Sequence, residues 1–558
     1  MMIRETIRAL VKGAVLWFAV ALPALSQLIP TPIVTTRSGQ VQGTVVGGVS
    51  RFLGIRYAAP PVGALRFKPA QDPEPWKGID VAMGYGAPCM QAASEEWLQP
   101  NNDIPFALLT VLGTNDEVKI NNEDCLYLNV WTPAVDAAKR PVMVWIHGGA
   151  FSFGAGSEPL YDGTNLARRG DVVVVTLNHR LNAFGYLDLS GIGGPAYADS
   201  VNLGQLDLVK GLQWVHDNIM AFGGDPNNVT IMGESGGALK VSYLMGMPAA
   251  KGLFQKAIIQ SGPALEGRDA EAAKQVSVAI LKAAGMKEFS QQWLETVRPE
   301  MLVKAYLGAA APSGDEIAVW LRPATDGKTL PRDPFTPDAS PLVDAVPLLI
   351  GWNKDELNLM TALAGDLSKV ITEEELRERA AKMYCGKGLQ VLAELRKIHP
   401  DYSPAYLMTA MGTARTSLNT VTLAERKAAQ HAPVYVYELT WETPVLNGLL
   451  KTPHALDLPF MFDNVAAAEA FVGSGADQQK LADQMSDVWI AFARSGNPNT
   501  PGRPFWPRYD SQRHATMLFN VQSHVEDNPY GAVHFLLRDQ IKDEVLPQDC
   551  PTEHPAQF

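Results

Sequence analysis

The chain is sparing with the residue patterns that mark metal, nucleic-acid and membrane chemistry. Its ten histidines do not cluster at ligand spacing, so no metal site is expected. Lys and Arg total 47 against 59 Asp and Glu, a formal charge of −12, and an acidic surface repels both nucleic acid and anionic membrane. No glycine-rich nucleotide-binding loop stands in the chain, and no cofactor is expected. Internal repeats and linker-like domain boundaries are absent too. Charged residues make up 19% of the sequence and hydrophobic residues 46%, so 558 residues can bury a large core.

Apolar runs long enough for a membrane are scarce as well. Residues 13–22 form an apolar stretch after Arg4, Arg8 and Lys12, and Ala24-Leu25-Ser26 follows it. The run is too short to span a bilayer comfortably, and the small residues suit cleavage before Gln27. A signal peptide over residues 1–26 is therefore expected, with a single domain over 27–558. The destination would be the periplasm or the exterior, without stable membrane insertion. Export permits disulfides, and the four cysteines Cys89, Cys125, Cys385 and Cys550 allow three pairing schemes. Cys89 and Cys125 bracket a polar, irregular segment with little else to hold it, which favours that bridge. Pairing of Cys385 with Cys550 stays open.

What the chain does have is strand-like apolar sequence in a telling order. Residues 33–130 alternate short strand-like runs with proline-rich turns, as in an antiparallel meander. Continuous apolar runs follow at 141–146, 172–177 and 229–232, and further ones at 256–260, 345–350 and 434–439. Strands apolar on both faces belong inside a parallel sheet. Segments 269–306 and 373–429 have helical periodicity, and are expected to cover the sheet and wall a pocket. The fold class is therefore α/β, with a mostly parallel central sheet.

One of these runs leads into Gly233-Glu234-Ser235-Gly236-Gly237, and a helix-like segment comes after it. A Gly-x-Ser-x-Gly match alone arises by chance in many chains. Between a strand and a helix, it describes a sharp turn that lifts a serine hydroxyl out of the sheet edge, where flanking glycines avoid a clash. Serine is a weak nucleophile and needs a neutral imidazole, itself oriented by an acid. In the order serine, acid, histidine, the acid candidates are Asp355 and Glu356, just past a strand end. Spacing does not separate them. His454, in a loop opening a short helix, is the favoured base; His399 and His431 adjoin helix ends, and His514, His524, His534 and His554 fall late, in polar surroundings. His147-Gly148-Gly149-Ala150 directly follows another apolar strand. Backbone N–H groups there, with that of Gly236, would face a developing oxyanion.

With these motifs in view, the chain resembles the type-B carboxylesterase and cholinesterase family of α/β-hydrolases, of bacterial carboxylesterase type. Two long signatures carry the resemblance: Phe222-Gly223-Gly224 running to Gly233-Glu234-Ser235-Gly236-Gly237, and Glu123-Asp124-Cys125-Leu126-Tyr127-Leu128-Asn129-Val130. Matching blocks recur at Phe52-Leu53-Gly54-Ile55-Arg56-Tyr57-Ala58, Asn178-His179-Arg180-Leu181 and Gln260-Ser261-Gly262. The resemblance implies the α/β-hydrolase fold, Glu356 as the acid of the Asn353-Lys354-Asp355-Glu356 block, and Gly149 and Ala150 as oxyanion donors. It also implies a Cys89–Cys125 disulfide and a serine, Ser261, behind the acid. The chain departs from the family pattern at Leu357, where glycine usually follows the acid, and at His179, where tyrosine is usual. Trp97 is the one tryptophan between Cys89 and Cys125, and a choline-binding aromatic cannot be aligned there.

The expected function is a secreted serine hydrolase that cleaves small carboxylic esters through an acyl-enzyme formed by Ser235, His454 and Glu356. A cholinesterase-like preference is the alternative, since Glu234 beside the serine could attract a cation, but a choline site calls for an aromatic box. A non-catalytic adhesion homologue is the reading from another class; such relatives lack a member of the triad, and all three positions match here. Amides and carbamates are chemically accessible to the same groups.

Overall fold

Runs of Val, Ile and Trp that are apolar at every position can be buried only between two layers, and the chain folds accordingly. The structure, a computed structural model, describes residues 31–92, 121–310 and 321–540. Among these, eleven strands form one sheet: β1 (Thr44–Val46), β2 (Val49–Arg56), β3 (Tyr127–Thr132), β4 (Arg140–Ile146), β5 (Val173–Leu177), β6 (Gly224–Glu234), β7 (Lys256–Gln260), β8 (Leu348–Asn353), β9 (Val434–Leu439), β10 (Ala515–Phe519) and β11 (His524–Asp527). Their spatial order is β1-β2-β3-β5-β4-β6-β7-β8-β9-β10-β11. From β5 to β10 neighbouring strands are parallel; β1, β2, β3 and β11 join antiparallel at the two ends.

Side-chain alternation splits each central strand between two cores. In β4, Val142, Val144 and Ile146 enter one core, while Met143 and Trp145 enter the other. The first core is completed by helix α1 (Leu203–Asn218), helix α2 (Gly236–Gly246) and the long helix α4 (Pro404–Ala428). The second is completed by helix α5 (Ala476–Ser495), whose Trp489 is fully buried. A short helix α3 (Leu357–Leu363) stands at the carboxyl end of β8. Helices on both faces of a parallel sheet leave its carboxyl ends open for a site.

The expected opening meander divides into two sheets. Gln40–Gln42 pairs with Ile33–Thr35 and Ile79–Val81 in a separate small sheet, whereas Thr44–Val46 joins the main one. Gly43 allows the crossing, because a β-carbon there would lie 2.5 Å from Arg51 O. The run expected at 345–350 forms its strand three residues later: Pro347, which has no N–H to give to a ladder, precedes β8 at Leu348. The last two strands went unanticipated. β10 is only five residues long and lies between polar turns, and β11 is largely exposed at the sheet edge.

Cys89 and Cys125 are joined by a disulfide. Cys385 is also disulfide-bonded; Cys550, Trp97, His554 and the segment expected to be a signal peptide lie outside the described residues. No helix among the described residues is long and apolar enough to cross a membrane.

Candidate active site

Parallel pairing brings the ends of the central strands level, and each is fastened to its neighbour by the residue that follows it. Ser235 N donates to Gln260 O (2.9 Å), Ser261 N to Gly351 O (2.8 Å) and Lys354 N to Leu439 O (2.9 Å). Ile146 of β4 lies opposite Gly233 of β6, so the loop leaving β4 meets the turn leaving β6.

That meeting is backbone against backbone. Ser235 sits in the turn with φ 55° and ψ −124°, strained for a residue with a side chain, and α2 starts at the next residue. A β-carbon on Gly237 would lie 2.0 Å from Ile146 O, and one on Gly236 would lie 2.3 Å from Ala150 O and 2.4 Å from Ala150 N. Gly149 and Ala150 both have left-handed backbone, with φ 82° and 49°. Gly149 O accepts from Ser152 N and Phe153 N at 3.1 Å, which closes the loop into a tight turn. The main chain of Gly149 and Ala150 is thereby pressed beside Gly236, at the amino end of α2.

The acid candidates, inseparable by spacing, part in space. Glu356 Oε2 accepts from His454 Nδ1 at 2.5 Å, while Oε1 accepts from Asn353 N at 2.8 Å. Asp355 turns the other way, accepting from Tyr402 Oη at 2.7 Å and Thr452 N at 3.2 Å. Its own N–H donates to Thr452 O, and Asn353 Nδ2 donates to Pro453 O, so the histidine loop is clamped to the acid loop.

His454 Nε2 lies 3.2 Å from Glu234 Oε1, the carboxylate preceding the serine. Burial disfavours the imidazolium, but the carboxylates of Glu234, Glu356 and Asp457 outweigh it and hold the His454 pKa above the ordinary histidine value. Burial pushes the Glu234 carboxyl up, partly offset by His454. Asp457, which sequence reading passed over, accepts from Gln260 Nε2 and Tyr437 Oη, both at 2.7 Å. Its only sequence signal was its place three residues after His454.

A cavity of about 370 Å³ opens over these groups. Gly149, Ala150, Glu234, Ser235, Ser261, Glu356 and His454 all line it, and Gly236 lies just beneath. Ser261, with φ 54°, stands where β7 ends, and a β-carbon on Gly262 beside it would lie 2.6 Å from Ser235 O. The rest of the lining is mostly apolar, with Phe153, Leu160, Tyr161, Leu357, Leu359, Met360, Leu363 and Leu458. Of the two helical segments expected to wall the pocket, only Thr416 of α4 contributes to this lining, and segment 269–306 contributes none of it. The wall is formed instead by α3 and the loop after β4. His179 is buried, stacks on His147 with ring centroids 4.7 Å apart, and does not line the cavity. No group of three or more metal-ligating side chains occurs among the described residues.

Most of the chain has well-matched relatives. The carboxylesterase family matches residues 30–535. Para-nitrobenzyl esterase of Bacillus subtilis (strain 168) is 40% identical over 504 residues, covering 89% of this chain and 96% of that protein. Cocaine esterase of Homo sapiens is 34% identical over 532 residues, covering 88% of each. The structure of a Geobacillus stearothermophilus carboxylesterase superposes with a TM-score of 0.78 at 39% identity, over 90% of this chain and 99% of that one. The fold, the site at the carboxyl end of its sheet and these similarities lead to one conclusion: the chain belongs to the carboxylesterase family and is a carboxylic ester hydrolase of the α/β-hydrolase fold.

Proposed function

We propose that the chain cleaves small, uncharged and partly apolar esters through an acyl-enzyme on Ser235. Ser235 Oγ attacks the ester carbonyl as His454 Nε2 takes its proton. The tetrahedral oxyanion forms against the N–H groups of Gly149, Ala150 and Gly236. His454 then passes the proton to the alcohol oxygen, the carbon–oxygen bond breaks, and the alcohol leaves. Water, deprotonated by the same imidazole, attacks the acyl-enzyme; the acid leaves and Ser235 regains its proton. Glu356 fixes the tautomer by accepting from Nδ1 and stabilises the transient imidazolium. The observation that carries this reading is the strained Ser235 turn sharing one cavity with the Glu356–His454 pair and the left-handed glycine loop.

The apolar lining favours an uncharged ester over a cationic one. Glu234, the one group that suggested a cation, already faces His454, which can use its charge in place of a substrate cation, and burial disfavours an unpaired carboxylate there. Residues 1–26 are read as a signal peptide leading to export and residues 27–558 as one domain, on the hydropathy of 13–22 and the small residues that follow it.

Three outcomes follow from this reading. Hydrolysis of para-nitrophenyl acetate and butyrate falls by about 10⁴-fold or more in Ser235→Ala, with acetylthiocholine a poorer substrate of the wild type; retained activity in the variant removes Ser235 from the chemistry. The base must be neutral to accept a proton, so kcat/KM rises with pH through the His454 pKa, which Glu234 holds up. In Glu234→Gln that support is gone and the rising limb moves to lower pH; a limb that stays or moves higher contradicts the assignment. N-terminal sequencing of exported protein finds Gln27 first, whereas an intact N-terminus removes the signal peptide.

A further inference from the structure

Leu357 directly follows Glu356, opens helix α3 and lines the cavity along with Leu359, Met360 and Leu363. Its side chain rests on the long helix α4 at Gly412, where a β-carbon would lie 2.0 Å from Leu357 Cδ1 and 3.3 Å from Leu357 Cγ. Gly412 stands inside a 25-residue helix, where glycine costs about 1 kcal/mol relative to alanine. It is not among the glycines with positive φ, so its backbone conformation suits any residue. What it supplies is room for Leu357. One turn further on, Thr416 faces the same cavity.

We propose that Leu357, seated on Gly412, is a specificity-determining residue that sets the size of the alcohol group the site accepts. This rests on the reading of Ser235 and His454 given above. In that chemistry the leaving oxygen is the atom that receives the proton from His454, so the alcohol group extends on the His454 side of the scissile bond. The carbonyl oxygen points away, toward Gly149, Ala150 and Gly236. Leu357 directly follows Glu356, the acid hydrogen-bonded to His454, and shares the cavity lining with His454, which favours the alcohol side over the acyl side. Its isobutyl group borders open cavity on one flank and the Gly412 seat on the other.

The two partners make opposite predictions. Truncation in Leu357→Ala widens the cavity. In Gly412→Ala the new methyl displaces the far end of a flexible side chain, not backbone, so the fold is kept and helix propensity improves while Leu357 is driven into the cavity. The measurement is the kcat/KM ratio of hexyl acetate to methyl acetate, with methyl hexanoate against methyl acetate as the acyl series. One methylene more or less in an apolar pocket discriminates by about 10–200-fold. Leu357→Ala is expected to raise the hexyl-to-methyl ratio by about tenfold and Gly412→Ala to lower it by a similar factor. The double variant is expected to match Leu357→Ala, because the new methyl has nothing left to push. A merely structural role would move both ratios in one direction, alongside the unfolding midpoint. The proposal is overturned if both single variants shift the ratio the same way or by less than twofold, or if the acyl series responds instead. If Leu357→Ala fails to fold, Gly412→Ala decides alone. Failure of the underlying reading would show separately, as hydrolysis that survives Ser235→Ala.

Discussion

The contact on which the site depends is the close approach of two stretches of main chain, the turn after β6 and the loop after β4. Gly236 and Gly237 have no room for a side chain because Ala150 and the Ile146 carbonyl occupy it. This contact follows from the sheet. β4 and β6 are parallel neighbours with Ile146 opposite Gly233, so both chains leave the sheet at one level and must turn against each other. The left-handed conformations of Gly149, Ala150 and Ser235 accommodate that crowding. Backbone strain of this kind persists only where surrounding structure over-determines it, and here seven parallel strands and two cores do so.

A second splice, between the loops after β8 and β9, sets the electrostatics. The histidine loop is held by Asp355, Asn353 and Asn358, the last donating from Nδ2 to Leu450 O, and His454 is left between the carboxylates of Glu356 and Glu234. Two acids on one buried imidazole favour its charged form; in the proposed chemistry this opposes proton acceptance in the resting site and stabilises the imidazolium once it has formed. Burial of Glu234 moderates the first effect by favouring a neutral carboxyl. The pH dependence of the chemistry is in this account a property of the Glu234–His454 pair rather than of the histidine alone.

Much of the frame was legible in sequence because its signals are local. Continuous apolar runs disclosed β4, β5, β6, β7 and β9, and the strand–turn–helix context picked out Ser235 and its glycines. Asp355 and Glu356 could not be told apart that way. They are adjacent, both are buried, and only the direction each side chain takes, to Tyr402 and Thr452 or to His454, distinguishes them. The family resemblance pointed to Glu356, the residue hydrogen-bonded to the histidine. Asp457, the α3 wall and the Leu357–Gly412 seat escaped notice for the same reason: each gains its meaning from a residue distant in the chain. β10 and β11 escaped because a five-residue strand and an exposed edge strand carry too little periodic signal.

The most direct test of the account is where a covalent bond forms. Incubation with an organophosphate that phosphorylates activated serines, followed by peptide mass spectrometry, should place one phosphoryl adduct on Ser235, with activity lost in proportion to labelling. Inactivation with the adduct elsewhere, or full activity with Ser235 stoichiometrically labelled, would contradict the assignment of Ser235 as the nucleophile.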